Sequence, residues 1–297
     1  MSRDPSATMT KFLNCLDLIK EDENLFLGHS PDFGWRRIFG GQLIAQSLAA
    51  ASRTVKADRA VHSLHSYFLR PGDPDIPLYY RVHCIRDGAS FSMRSVEALQ
   101  SNQVIFTMQV SFHRSEAGFD HQAIMPDVPS PEELDIENVF NAKDATTEPL
   151  KLYMNKERPF QFVPVSMERY LNAGYLEPEQ SVWLRLIKPL DDGVDAYLHP
   201  VILSYLSDML LVDTALFPHG VNIFDQSVQG ASLDHAIWFH RLFLFDDWVL
   251  YHMDSPSSAG SRGMARGSLF KRDGTLVASV AQEGLIRKRA NARKIAK

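Results

Sequence analysis

Apolar and polar residues alternate with a period of two over long stretches of this chain. From Gln103 to Phe112, Val104, Phe106, Met108, Val110 and Phe112 fall on one face, with Ile105, Thr107, Gln109 and Ser111 on the other. That is the pattern of a β-strand with one buried face. Leu78 to Ile85 alternates in the same way, with Leu78, Tyr80, Val82 and Cys84 on the apolar side. The turn dipeptides Asp87-Gly88, Ser101-Asn102 and Asp273-Gly274 bound such runs. Two other segments have helical composition. Gly40-Gly41-Gln42 opens an Ala- and Leu-rich stretch reaching about Ser52. Ser207-Asp208 opens Met209 to Leu216, with Ser207 as the expected N-cap. Both are apolar nearly all round, which predicts burial.

These segments repeat. Tyr67-Phe68-Leu69-Arg70 matches Trp238-Phe239-His240-Arg241 at an offset of 171 residues. The stretch from Gln109 to Arg114 matches Gln282 to Arg287 at an offset of 173. A nearly constant offset marks an internal repeat, each copy being one buried helix followed by a meander of long antiparallel strands. The expectation is an α+β fold of the double hotdog type: two antiparallel sheets, each wrapped on a central buried helix and joined into one extended sheet. The first repeat covers residues 1–114 and the second 165–297, ending in a basic tail. Residues 115–164 contain Pro126, Pro129, Pro131, Pro149, Pro159, Pro164 and the acidic run Glu132-Glu133-Leu134-Asp135. They read as a surface linker.

Composition narrows the function. A length of 297 residues accommodates two such units. With 31 Lys+Arg against 36 Asp+Glu and a net charge of −5, the chain has no basic field for a nucleic-acid backbone. Two cysteines, Cys15 and Cys84, exclude a disulfide framework and a cysteine-rich zinc module; Cys84, on an apolar strand face, is expected in the core. No apolar run approaches the roughly 18 residues of a membrane span, and Met1 to Thr10 has no signal-peptide stretch. A cytoplasmic protein without membrane insertion is expected.

Three side chains stand out chemically. Asp208 lies in the otherwise apolar Leu203-Ser204-Tyr205-Leu206-Ser207-Asp208-Met209-Leu210-Leu211, and Gly40-Gly41 takes its place in the first repeat. As a bland feature it is a helix cap. As a desolvated carboxylate it is a candidate general base. Gln282 shares a strand face with Leu276, Ala278 and Val280, where an amide needs partners; Gln109 occupies the same place in the first repeat, which gives the residue a partly structural reading. Ser232 starts the strand leading to Trp238 and is otherwise an ordinary turn residue. Ala259-Gly260-Ser261-Arg262-Gly263 resembles a nucleophile elbow but precedes a strand-like run, so it reads as a loop. His62, His65, His235 and His240 lie on strand patterns without other ligands at metal-site spacing. Gly40-Gly41 lacks the dinucleotide-binding spacing. The tail from Arg287 to Lys297 reads as solvated, with attraction of a substrate's phosphates as a minor reading.

Arg37-Ile38-Phe39-Gly40-Gly41-Gln42, the run from Val61 to Gly72, Leu233-Asp234-His235 with Trp238-Phe239-His240, and Gln282-Glu283-Gly284 with Arg287 resemble the type II acyl-CoA thioesterases. The resemblance runs from about Asn24 to Arg287. It implies a double hotdog, hydrolysis of fatty acyl-CoA to free acid and CoA, and no metal or cofactor. It also implies that the family's catalytic Asp, Ser or Thr, and Gln fall on Asp208, Ser232 and Gln282. In that scheme Asp208 activates a water, the other two orient it, and the acyl chain lies in an apolar groove between the repeats. The chain ends Arg293-Lys294-Ile295-Ala296-Lys297, unlike the Ser-Lys-Leu type address of peroxisomal members, which fits the cytoplasmic expectation. Two rival functions remain: a hotdog acyl-CoA hydratase or dehydratase using His219 or His235, and a non-catalytic acyl-CoA binder. Assembly into a homodimer or homotetramer is expected.

Overall fold

A computed structural model describes residues 4–34, 36–134, 157–166, 174–191, 193–222, 225 and 227–289. The chain opens with helix α1 (Pro5–Leu16), started by Asp4, whose side chain accepts the Ser6 N–H. Strands β1 (Ile19–Asp22) and β2 (Leu25–Gly28) lead to helix α2 (Gly40–Ser52). Then come β3 (Arg59–Phe68), β4 (Leu78–Asp87), β5 (Phe91–Gln100) and β6 (Gln103–Arg114). The second half holds β7 (Phe160–Pro164), β8 (Glu179–Leu186), helix α3 (Leu198–Ser207) and a 3₁₀ segment (Val212–His219). It continues through β9 (Val228–Ser232), β10 (Asp234–Phe239), β11 (Val249–Ala259), β12 (Arg262–Lys271) and β13 (Leu276–Lys288).

The thirteen strands among the described residues form one sheet in the order β1-β2-β4-β5-β6-β3-β10-β13-β12-β11-β8-β7, with β9 also on β13. Read outward from the centre, β3-β6-β5-β4-β2 is matched by β10-β13-β12-β11-β8. The repeat seen in the sequence is therefore a repeat of topology. The halves join where β3 and β10 pair antiparallel, from Tyr67 opposite Asp234 to Ser63 opposite Trp238. The fold is the expected double hotdog.

Helix α2 is buried from Gly41 to Ala51. Its Leu and Ile side chains each contribute about 1.5–3 kcal/mol by leaving water. Its buried Gln46 is satisfied by the Cys15 and His29 carbonyls and by the Tyr80 hydroxyl. Helix α3 packs directly against α2. Its Tyr205 ring meets Phe39 at 5.0 Å and Phe12 at 4.9 Å between centroids.

Four expectations are corrected here. The second helix precedes Asp208 rather than following it. Pro200 sits in the first turn of α3, where a missing N–H costs nothing, and Leu210 at φ 66° breaks the helical path before the 3₁₀ segment. The span Leu198–His219 is long and apolar enough, by length and composition, to cross a membrane, contrary to the sequence reading. Most of it is buried inside the fold, as befits a core helix. The stretch 115–164 is not all linker: Phe160–Pro164 is a strand paired with β8. Upstream of it, Met125, Val128 and Leu134 pack on Trp183 and Trp248 of the second half, and the Pro129 carbonyl accepts the Trp183 indole N–H. Residues 135–156 of that stretch lie outside the described residues. Cys84, finally, is exposed: it stays in register with Tyr80 and Val82, opposite Arg94, but burial along β4 ends at Val82. Cys15 is buried, and burial pushes its thiol up to about 12.

A Cβ on Gly41 would stand 2.2 Å from the Tyr205 carbonyl oxygen of α3, a backbone atom that no rotamer change can move. Gly41→Ala is expected to cost about 1–3 kcal/mol through overpacking, read as a lowered thermal midpoint. An unchanged midpoint would show that the two helices do not need this close approach.

Candidate active site

Asp208 follows the last residue of α3. The carboxylate thus sits at the negative end of its own helix, which disfavours its charge. The compensation comes from the other half of the molecule. Oδ2 accepts the backbone N–H of Gly41, in the first turn of α2, at 2.9 Å. Gly40-Gly41 is therefore not the counterpart of Asp208 in the first repeat but the surface it docks on. A Cβ on Gly40 would stand 2.6 Å from Asp208 Oδ2, so only glycine leaves room for the carboxylate.

The other carboxylate oxygen collects both remaining sequence candidates. Ser232 donates its hydroxyl to Oδ1 at 3.2 Å, and Gln282 donates its amide N–H to the same atom at 2.5 Å. All three predicted residues meet at one point. Burial pushes the Asp208 carboxyl up to about 6, against the pull of the bonds from Gln282, Ser232 and Gly41.

Two local features bring Ser232 and Gln282 there. Ala236 pairs with Ala281 and Ser232 with Gly284, so the β9–β10 side spends one residue more than β13 between these pairs. That bulge turns Ser232 onto the face that carries His235 and Ile237. Gln282 is buried on the face of Leu276, Ala278 and Val280, as the alternation predicted. Its proposed counterpart does not share this place. Gln109 is exposed and donates to Ser95 Oγ at 2.7 Å. With Tyr67 aligned on Trp238, the β3–β6 pair of Leu64 with Val110 occupies the position of His235 and Gln282. The offset of 173 was one residue too long, and a slip of one reverses the face.

One residue around the site was misread from the sequence, and three more escaped it. Ser207 is no N-cap; it ends α3, and its buried Oγ lies 2.9 Å from both the Ser204 carbonyl and His235 Nε2. Tyr251 holds the Ser207 carbonyl at 2.7 Å. Asp213, in the 3₁₀ segment, is pushed up to about 7 by burial and then by the charge of Asp208; its signal in the sequence was a lone acid in Leu210-Leu211-Val212-Asp213-Thr214-Ala215-Leu216. Gln180 supports the strained Leu210 by donating to its carbonyl at 3.0 Å and to Thr214 Oγ1 at 2.8 Å.

The features set aside by sequence are also placed. Gly260 and Ser261, both with positive φ, form the β11–β12 hairpin turn rather than an elbow. Among the described residues no group of His, Cys, Asp or Glu is arranged to hold a metal ion. A cavity of about 630 Å³ opens beside the start of α2, lined by Phe39 and Gln42 and by the charged Arg36, Arg37, Asp32, Asp73 and Asp75. Its charged wall distinguishes it from the apolar groove expected between the repeats.

Comparison with known proteins identifies the family. The sequence profile described as acyl-CoA thioesterase matches residues 150–285, and that of the acyl-CoA thioesterase N-terminal domain matches residues 29–113. The chain is 39% identical over 284 residues to acyl-CoA thioesterase 2 of Haemophilus influenzae, covering 95% of this chain and 99% of that one. It is 40% identical over 292 residues to acyl-coenzyme A thioesterase 8 of Homo sapiens, covering 95% and 89% respectively. The crystal structure of an acyl-CoA thioesterase II from Mycobacterium marinum superposes with a TM-score of 0.76 at 38% identity, covering 93% of this chain and 98% of that one. With a fold of paired hotdogs, a desolvated aspartate at their junction and relatives of this kind along nearly its whole length, the chain belongs to the acyl-CoA thioesterase family.

Proposed function

We propose that this protein hydrolyses fatty acyl-CoA to free fatty acid and CoA by direct attack of a water molecule, with Asp208 as general base. The observation that carries this reading is the Asp208 carboxylate itself, held by Ser232, Gln282 and a helix N-terminus, with a proton affinity brought up to about 6 by burial. A base that titrates near the working pH is ionised yet still takes up a proton readily.

The chemistry follows from the groups present. Water held against Asp208 Oδ1 gives its proton to the carboxylate as its oxygen bonds to the thioester carbon. Gln282 has a second amide N–H and Ser232 two lone pairs, so both can fix the orientation of that water. Charge moves onto the carbonyl oxygen, which the positive end of the α2 dipole favours. Collapse of the tetrahedral intermediate breaks the C–S bond and expels CoA as thiolate, a good leaving group that takes up the proton from Asp208 or solvent. The cavity beside α2 suits the CoA moiety, with Arg36 and Arg37 as the cations for its phosphates.

The hydratase reading fares less well. His235 is buried, and desolvation pushes it down to about 3, so it is neutral at physiological pH and has no imidazolium proton to deliver. A non-catalytic binder would have no use for a carboxylate kept desolvated at such cost.

Four outcomes are expected. Thiol is released from acyl-CoA by the wild-type protein, and Asp208→Asn lowers kcat by about 10²–10⁴-fold; full kcat in that variant would remove Asp208 from the mechanism. The profile of kcat/KM rises with pH through about 6, as Asp208 ionises, and then levels; a profile flat from pH 5 to 8 contradicts it. The folded Asp208 keeps its proton up to about 6 while the unfolded one loses it near 3.8, so folding takes up a proton between these values and stability falls as pH rises through them. Asp208→Asn is therefore expected to melt higher than wild type at pH 7, with the difference gone below about pH 4, measurable by calorimetry. Joint replacement of Arg36 and Arg37 by Ala should raise KM for acyl-CoA about tenfold or more, leave kcat, and spare an acyl-pantetheine that lacks the nucleotide; equal effects on both substrates would place the CoA phosphates elsewhere.

A further inference from the structure

Gln282 serves Asp208 only with its amide nitrogen turned toward the carboxylate; the reversed amide sets oxygen against oxygen. Nothing in the Asp208 contacts themselves holds the far end of this side chain. Gln282 Oε1 is buried without a hydrogen-bond partner, and so is His235 Nδ1. Both residues are 1% exposed. They lie at adjoining strands: β10 and β13 pair Ala236 with Ala281, and the next step along that ladder is His235 and Gln282. The Gln282 amide also acts on the His235 ring as a hydrogen-bonding neighbour that favours a proton there.

The tautomer of His235 decides whether these two atoms oppose or join each other. Ser207 Oγ lies 2.9 Å from the Ser204 carbonyl and 2.9 Å from His235 Nε2, and it has a single proton to give. If that proton goes to Ser204, Nε2 must be the protonated nitrogen of the neutral ring. Nδ1 is then a bare acceptor, and the buried Gln282 oxygen finds no donor either. If the proton goes to Nε2, the ring carries its own proton on Nδ1, and the neighbouring Gln282 Oε1, buried without another partner, is the acceptor available to it. The second arrangement gives the far end of the Gln282 amide a donor while its nitrogen bonds Asp208.

We propose that His235 is a positioning residue: its Nδ1–H holds Gln282 Oε1, and so keeps the Gln282 amide nitrogen directed at Asp208 and at the water beside it. The role rests on the hydrolytic reading above. It reaches the chemistry through Gln282 alone, with Ser207 as the donor that sets the tautomer.

Two measurements test it. ¹⁵N spectra of histidine-labelled protein at pH 7, with His235 identified by its loss in His235→Asn, should show the Nδ1–H tautomer; a ring protonated on Nε2 overturns the proposal, whatever the activity. A double-mutant cycle then reads the coupling. His235→Leu should lower kcat about tenfold with KM unchanged, and add nothing in a Gln282→Met background. His235→Asn, whose amide places an N–H near the position of Nδ1, should restore most of the lost kcat. Equal losses from His235→Leu with and without Gln282, or no recovery in a folded His235→Asn, show a merely structural histidine. Failure of the hydrolytic reading looks different: no thiol is released by the wild type, while the tautomer still answers for His235.

Discussion

The structure depends on one hydrogen bond across the molecule, from the N–H of Gly41 to the carboxylate of Asp208. The donor belongs to the first turn of a helix in one half, where N–H groups have no partner within the helix. The acceptor follows the last turn of a helix in the other half, where the same logic leaves carbonyls exposed and makes an anion unwelcome. Each helix end answers a deficit of the other. The close approach that permits this is set by two consecutive glycines, since a side chain on either would strike Tyr205 or Asp208 itself. A single hotdog with one such helix has no second helix end to supply; the duplication is what makes the site.

The electrostatic consequence is a carboxylate under opposed influences. Burial and its own helix dipole raise its affinity for a proton, while Gly41, Ser232 and Gln282 lower it. The outcome near 6 lies where a base is ionised at neutral pH without being inert. Strain gathers in the same place: Leu210 adopts a left-handed conformation two residues on, held by Gln180. Stability is given up locally to keep a charged group dry.

Much of this was legible along the chain. The strand alternation of β4 and β6, the buried helix from Gly40 and the repeat followed from local pattern, and the three site residues from the resemblance to a known family. What misled was register. The repeat offset was read as 173 around Gln109, and one residue of error placed an exposed glutamine beside a buried one. Cys84 was assigned to the core because a period of two was continued past the end of the buried part of β4. Pro200 disguised the start of α3, and so Asp208 was put at the wrong end of a helix.

The sequence by itself determined the double hotdog, because hydrophobic periodicity is a local property, while Asp208, Ser232 and Gln282 were marked together only by the resemblance to the acyl-CoA thioesterases. Only the tertiary structure decided that Asp208 is answered by a helix end 167 residues away, that a bulge turns Ser232 inward, and that Ser207 meets the buried His235. These relations rest on register, on which helix end faces which, and on the sharing of single protons among buried groups. Such properties exist only once distant segments are packed together and water has been excluded between them.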